Sequence, residues 1–74
     1  MKTTAYFRNV VQLKRPYVTE ALCLEVIANP MRREVQPDGR IRYWGRVGKH
    51  WLRVVVLEDG ETLHNAFYDR RFKP

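Results

Sequence analysis

The chain has 74 residues, one cysteine and a formal net charge of +6. A chain this short makes one domain and buries only about 60% of its unfolded surface, so a second core is excluded. One cysteine excludes an internal disulfide, the absence of serine excludes a serine nucleophile, and no Cys/His cluster has zinc-site spacing.

Met1 to Thr4 reads as a loosely docked start. No signal-peptide core follows Met1-Lys2, and no stretch approaches the roughly 20 apolar residues of a membrane span. The expectation is a soluble cytoplasmic protein with no cofactor. From Thr4 or Ala5 to Lys14, Tyr6, Phe7, Val10, Val11 and Leu13 recur at helical spacing. Thr3 or Thr4 supplies a cap, and Pro16 ends the helix by driving Arg15 out of the α region. A second helix is expected between Tyr17 and Asn29, with Thr19 as N-cap and Glu20 in the first turn. Leu22, Cys23, Val26 and Ile27 share one face, which should lie across a sheet. Cys23 falls inside that face and reads as a small core residue rather than a nucleophile.

Four strands follow. Arg32 to Gln36 is short, charged and close to proline, which suits an edge. Pro37-Asp38-Gly39 makes a three-residue loop that sets Val35 beside Ile41 and Glu34 beside Arg42, with Val35 on the core side. Arg40 to Val47 and Trp51 to Glu58 are joined at Gly48-Lys49, which places Trp44 opposite Arg53 and Arg46 opposite Trp51. Asp59-Gly60 reads as a two-residue type I′ turn, which sets Val55 against His64, Arg53 against Ala66 and Trp51 against Tyr68.

Alternation then sorts the side chains. Ile41, Tyr43, Val47, Leu52, Val54, Val56, Leu63 and Phe67 form a core face. Arg40, Arg42, Trp44, Arg46, Trp51, Arg53, Val55, His64 and Tyr68 form a basic and aromatic face. Asn65 interrupts the core face and reads as a hydrogen-bonded structural amide. Phe72 is expected to tuck the C-terminal tail against the body.

Between Arg32 and Arg53 lie seven basic residues against two acids. Arginine dominates, and its planar fork suits phosphate and base recognition. Rings interleaved with arginines stack on unpaired bases; the same pairs also stabilise a sheet as cross-strand cation–π contacts. A row Glu34, Arg42, His64 across the sheet would orient a phosphate and offer a proton-transfer group. His50 falls at a turn and faces solvent. No phosphate-binding glycine loop, GxGxxG or HExxH motif is present.

The stretches Asp38-Gly39-Arg40-Ile41-Arg42-Tyr43-Trp44, Leu52-Arg53-Val54-Val55-Val56 and His64-Asn65-Ala66-Phe67-Tyr68-Asp69-Arg70 resemble the RelE/ParE toxin superfamily. They are most similar to a small bacterial branch close to domain-of-unknown-function families related to BrnT-type toxins. The resemblance covers nearly the whole chain. It implies a single RelE-like α+β domain over residues 1–74, with two N-terminal helices packed on a four-stranded antiparallel sheet. RelE-like members cut messenger RNA, usually on the ribosome and without metal; ParE-like members inhibit gyrase by protein contact. On the RelE-like reading Arg42 and Arg53 clamp phosphate, His64 or Tyr68 handles protons, and Arg70 stabilises developing charge. The catalytic set is then Arg42, His64, Tyr68 and Arg70. The nucleic-acid surface is Arg40, Arg42, Trp44, Arg46, Trp51 and Arg53. An acidic antitoxin is the implied protein partner.

Two functions are carried forward. One is a toxin-like RNA-binding protein or metal-independent ribonuclease. The other is a non-catalytic module that binds an acidic protein partner, or a second copy of itself as a homodimer.

Overall fold

The computed structural model describes residues 1–74 as two helices and five strands. Strand β1 is Lys2–Thr3. Helix α1 covers residues 5–14, with a π-helical stretch at Phe7–Val11 continuing as α-helix over Gln12–Lys14. Helix α2 is Glu20–Ala28. Strands β2 (Arg32–Val35), β3 (Ile41–Val47), β4 (His50–Val56) and β5 (Thr62–Tyr68) complete the chain. The fold is α+β, and its sheet runs in the order β1-β5-β4-β3-β2. No helix is long and apolar enough to cross a membrane.

The expected four-stranded antiparallel sheet is corrected to a five-stranded mixed one. β1 pairs parallel to β5, with Lys2 N donating to Glu61 O at 3.2 Å and Thr4 N to Leu63 O at 3.0 Å. The N-terminus is therefore not a loose start. Two residues are too few to display an alternating pattern, so this strand exists only through its partner.

Thr4 ends β1 and caps α1, its hydroxyl accepting Phe7 N–H at 3.0 Å. Within α1, Gln12 N–H reaches back to Phe7 O, one residue further than in an α-helix. Phe7 and Val11 are both fully buried. Arg15 leaves the helix at φ −128°, ψ 78°, as a residue before proline must. Thr19 caps α2 by accepting Leu22 N–H at 3.1 Å. α2 packs on β3 and β4, and α1 on β5. α2 comes so close to β3 that a Cβ on Gly45 would lie 3.0 Å from both methyls of Val26. Cys23 is wholly buried, and burial, reinforced by Glu20, pushes its thiol up to about 12. It is a core residue.

The first two hairpins have the expected registers. Val35 faces Ile41 and Glu34 faces Arg42; Trp44 faces Arg53 and Arg46 faces Trp51. Val54 and Val56 are fully buried. Val35, however, is 60% exposed. Its register is as expected, but α2 packs mainly on β3 and β4 and leaves it uncovered.

The third hairpin departs. Only Gly60 has positive φ, so the turn is not type I′; Gly60 N donates to Leu57 O at 2.9 Å and Asp59 caps the loop. Val56 still faces Leu63, as the expected register requires. Past a bulge the ladder shifts by one: Val55 faces Asn65, Arg53 faces Phe67 and Leu52 faces Tyr68. Ala66 becomes fully buried, Phe67 crosses to the basic face, and Tyr68 crosses to the helix side. Asn65 makes this possible. Its Oδ1 accepts the next N–H, from Ala66, at 2.9 Å. That bond satisfies a donor in the disrupted stretch of ladder. The expected structural amide is real, but it serves its own strand and not a core contact.

Candidate anion-binding cleft

The sheet face turned away from the helices has two parts, which meet at Arg53. At the β5 side lies a cleft of about 440 Å³, with Tyr6, Arg40, Arg42, Arg53, His64 and Asn65 among its lining residues. Each arrives for a local reason. Arg40 and Arg42 follow the Pro37-Asp38-Gly39 loop and alternate to one side of β3. Arg53 lies on the same side of β4. The bulge turns Asn65 and Phe67 toward the cleft, and the start of α1 brings in Tyr6.

Thr4 ties these parts together. Its Oγ1, which caps α1, also lies 3.1 Å from His64 Nδ1. The Tyr6 ring sits 5.1 Å from the His64 ring, tilted by 30°. Nδ1 is thereby taken, and Nε2 is left for a ligand. Burial lowers the His64 pKa, and the positive charge of Arg40 lowers it further. The ring is neutral at pH 7, the form a proton acceptor requires.

Three arginines line the cleft against one carboxylate, Asp38. Asp38 is already engaged, 3.8 Å from Arg40 Nε and accepting Arg40 N–H at 2.9 Å. Arg42 makes no ion pair. Arg53 is more enclosed: burial and then Arg42 lower its pKa, with Asp69 and Glu34 pulling the other way. It remains charged, since guanidinium does not deprotonate in proteins. Its Nε is buried with no acceptor. Neutral amides at Gln36 and Asn65 and the ring of Phe67 complete a surface suited to a phosphate with an aromatic or amide-recognised group beside it.

The other part is closed by residues 69–74. Trp44, read either as a stacking platform or as a cross-strand cation–π partner of Arg53, is only 5% exposed, with the Arg53 guanidinium carbon 5.7 Å from its ring centroid. Phe72 lies flat on it, ring centroids 5.1 Å apart at 13°, as the expected tucking of the tail requires. Trp44 Nε1 donates to Asp69 Oδ2 at 2.9 Å, and the same oxygen lies 3.5 Å from Arg53. Asp69 is thus the acid that organises this half.

The expected catalytic set divides. Arg42 and His64 share the cleft. Tyr68 lies on the helix side, stacked between Tyr17 at 4.3 Å and His50 at 4.1 Å. Arg70 lies beyond β5, beside Lys49, His50 and Tyr68. His50 is exposed as expected, though its ring is stacked. The nucleic-acid set divides as well: Arg40, Arg42 and Arg53 line the cleft, whereas Arg46 sits over Trp51 at 5.2 Å. Of the row Glu34, Arg42, His64, the first two are paired, but Asn65 stands in register beyond Val55. Glu34 faces the tail. Tyr6, Thr4 and Asp69 were missed by sequence reasoning. An acid ending a strand that carries a basic face was a usable signal for Asp69; Tyr6 and Thr4 carried none.

No protein-family model matches the chain, and neither the curated proteins nor the solved structures include a match.

Proposed function

We propose that this protein is a RelE-like, toxin-type RNA-binding protein that holds single-stranded RNA in the cleft. One observation carries the reading: Arg40, Arg42, Arg53, Tyr6 and His64 line one cleft whose only carboxylate is already paired with Arg40. Arginines take a phosphate, and a ring beside them takes a base.

The same cleft supports metal-independent cleavage. Neutral His64 Nε2 takes the proton of a ribose 2′-hydroxyl, whose oxygen attacks the adjacent phosphorus. The P–O5′ bond breaks and the leaving oxygen takes a proton from solvent water, giving a 2′,3′-cyclic phosphate and a 5′-hydroxyl, while the His64 imidazolium returns its proton to solvent. Arg42 stabilises the developing charge. Tyr68 and Arg70 have no part in this step, because they stand elsewhere.

Binding is tested by fluorescence anisotropy of a short labelled single-stranded RNA across a salt series. If three arginines each neutralise one phosphate, the log–log slope is about −2.1. Arg42→Ala lowers the slope and weakens binding across sequences. Absence of RNA binding at low salt rejects the reading. Cleavage is checked by end-group analysis: His64→Ala abolishes the cyclic phosphate product, and Tyr68→Phe leaves it unchanged. A toxin arrests growth when expressed alone, and an acidic antitoxin relieves the arrest.

A non-catalytic module that binds an acidic protein or a second copy has one observation in its favour. Met31 and Val35 stand 58% and 60% exposed on one side of edge strand β2. Sedimentation of the wild type against Val35→Lys separates this reading: a dimer lost on substitution supports it, and a monomer in both removes the homodimer.

A further inference from the structure

Phe72 is held in a way that its covering role does not require. It lies flat on Trp44, meets Trp51 edge-on at 5.1 Å and 63°, and has the Arg32 guanidinium carbon 4.9 Å from its ring centroid. A flat ring stacked on an indole, with a guanidinium and the edge of a second indole against it, is the setting in which proteins hold unpaired bases. Here the ring comes from the protein's own tail, which has neither helix nor strand.

Apart from the Phe72 ring, the tail is attached by polar contacts, among them Asp69 N donating to Trp51 O at 2.8 Å. Asp69 receives Trp44 Nε1 and Arg53, and Arg32 Nη2 donates to Lys73 O at 3.3 Å. Arg70, Arg71 and Lys73 are exposed. Arg53 borders both the cleft and this slot. Arg53 thus gives a strand with a phosphate in the cleft a continuous path to the slot. The slot's charged lining is Arg32, Arg53, Arg71 and Lys73 against Glu34 and Asp69, a net positive surface that complements phosphate.

We infer that Phe72 is an internal occupant of a second nucleobase-binding slot, formed by Trp44, Trp51 and Arg32, and that an unpaired base displaces it. The tail then competes with RNA, and the affinity of the intact protein is reduced by the fraction of molecules in which the slot is filled. The inference rests on the RNA-binding reading for the strand that arrives there; the slot itself is tested without the cleft.

The test is Phe72→Ala, followed through tryptophan emission. Titration with adenosine monophosphate quenches the variant and leaves the wild type unchanged at the same concentration. Short single-stranded RNA binds the variant more tightly, by about fivefold or more, as expected for one added stacked base. If Phe72 only covers Trp44, the folded variant shows no quenching by the mononucleotide and binds RNA no better than wild type. That result overturns the inference. Should Phe72→Ala fail to fold, Phe72→Leu keeps an apolar anchor without a flat ring and gives the same readout. Mononucleotide quenching with no RNA binding in any variant removes the cleft and leaves the slot standing. RNA binding lost in Arg42→Ala, with no quenching in Phe72→Ala, does the reverse.

Discussion

The two faces of this sheet are closed by different means. On one, α1 and α2 bury a cluster of twelve residues that includes Phe7, Leu52, Val54 and Val56. On the other, the tail covers Trp44 with one carboxylate, Asp69, and one ring, Phe72. Apolar burial is non-directional and excludes water over its whole area. An ion pair with a stacked ring leaves most of the tail wet and gives a competing ring and phosphate the same contacts. The helix face therefore carries the fold, and the tail face is the one our inference makes exchangeable.

The same substitution on each face breaks or keeps that contrast. Phe7→Ala removes a fully buried ring, which costs about 3–5 kcal/mol. A chain of this length has roughly 4–11 kcal/mol of total stability, so this variant loses a large share of it, read as a steep drop in urea midpoint. Phe72→Ala removes a half-buried ring and costs about 1–2 kcal/mol, with its stacking part near 0.5–1.5. Equal costs would show that the tail is as integral as the helices. Gly45→Ala sharpens the contrast from the helix side. Its new Cβ meets Val26 at 3.0 Å, and overpacking of this kind costs about 1–3 kcal/mol, read as a lower urea midpoint. Asp69→Ala acts on the tail side. It orphans Trp44 Nε1 and the enclosed Arg53, and costs about 1–3 kcal/mol with a red shift of tryptophan emission.

The chain displays the helix face better than the tail face, for physical reasons. Both helices, both caps and the first two hairpin registers follow from periodicity, Thr4, Thr19 and glycine-bearing turns. The third register failed at one residue. Phe67 is the greasiest side chain near the end of β5, and alternation from Leu63 reaches it. Asn65 accepting its own neighbour's N–H shifts the ladder and buries Ala66 instead, a bond that no pattern of apolar residues reveals. That error set Tyr68 on the basic face, whereas it lies on the helix side. The face on which Arg42 and His64 lie was legible because each follows a turn that fixes its side. Tyr6 was not, since it reaches the cleft only through β1, a two-residue strand that pairing alone creates.

Acid separates the two parts of the tail face in pH, and this is the smallest expected effect. His64 has a lowered pKa, through burial and then Arg40. The unfolded chain therefore binds its proton more readily, and folding stability falls as pH drops below about 6.5 toward the lowered value. Asp69 is raised by burial, but the Trp44 hydrogen bond, the Arg71 N–H and Arg53 outweigh this, and its pKa ends below 3.8. Its contribution is fully present above that ordinary value and is lost as pH falls through the lowered one. Mild acid thus touches the cleft alone, and only strong acid frees the tail. Urea midpoints should slip slightly below pH 6.5 in the wild type and not in His64→Gln. Trp44 emission should stay constant there and shift only below pH 3.8, with Asp69→Asn already shifted at neutral pH. An emission change at mild acid that survives His64→Gln would mean that the tail is held by something other than Asp69.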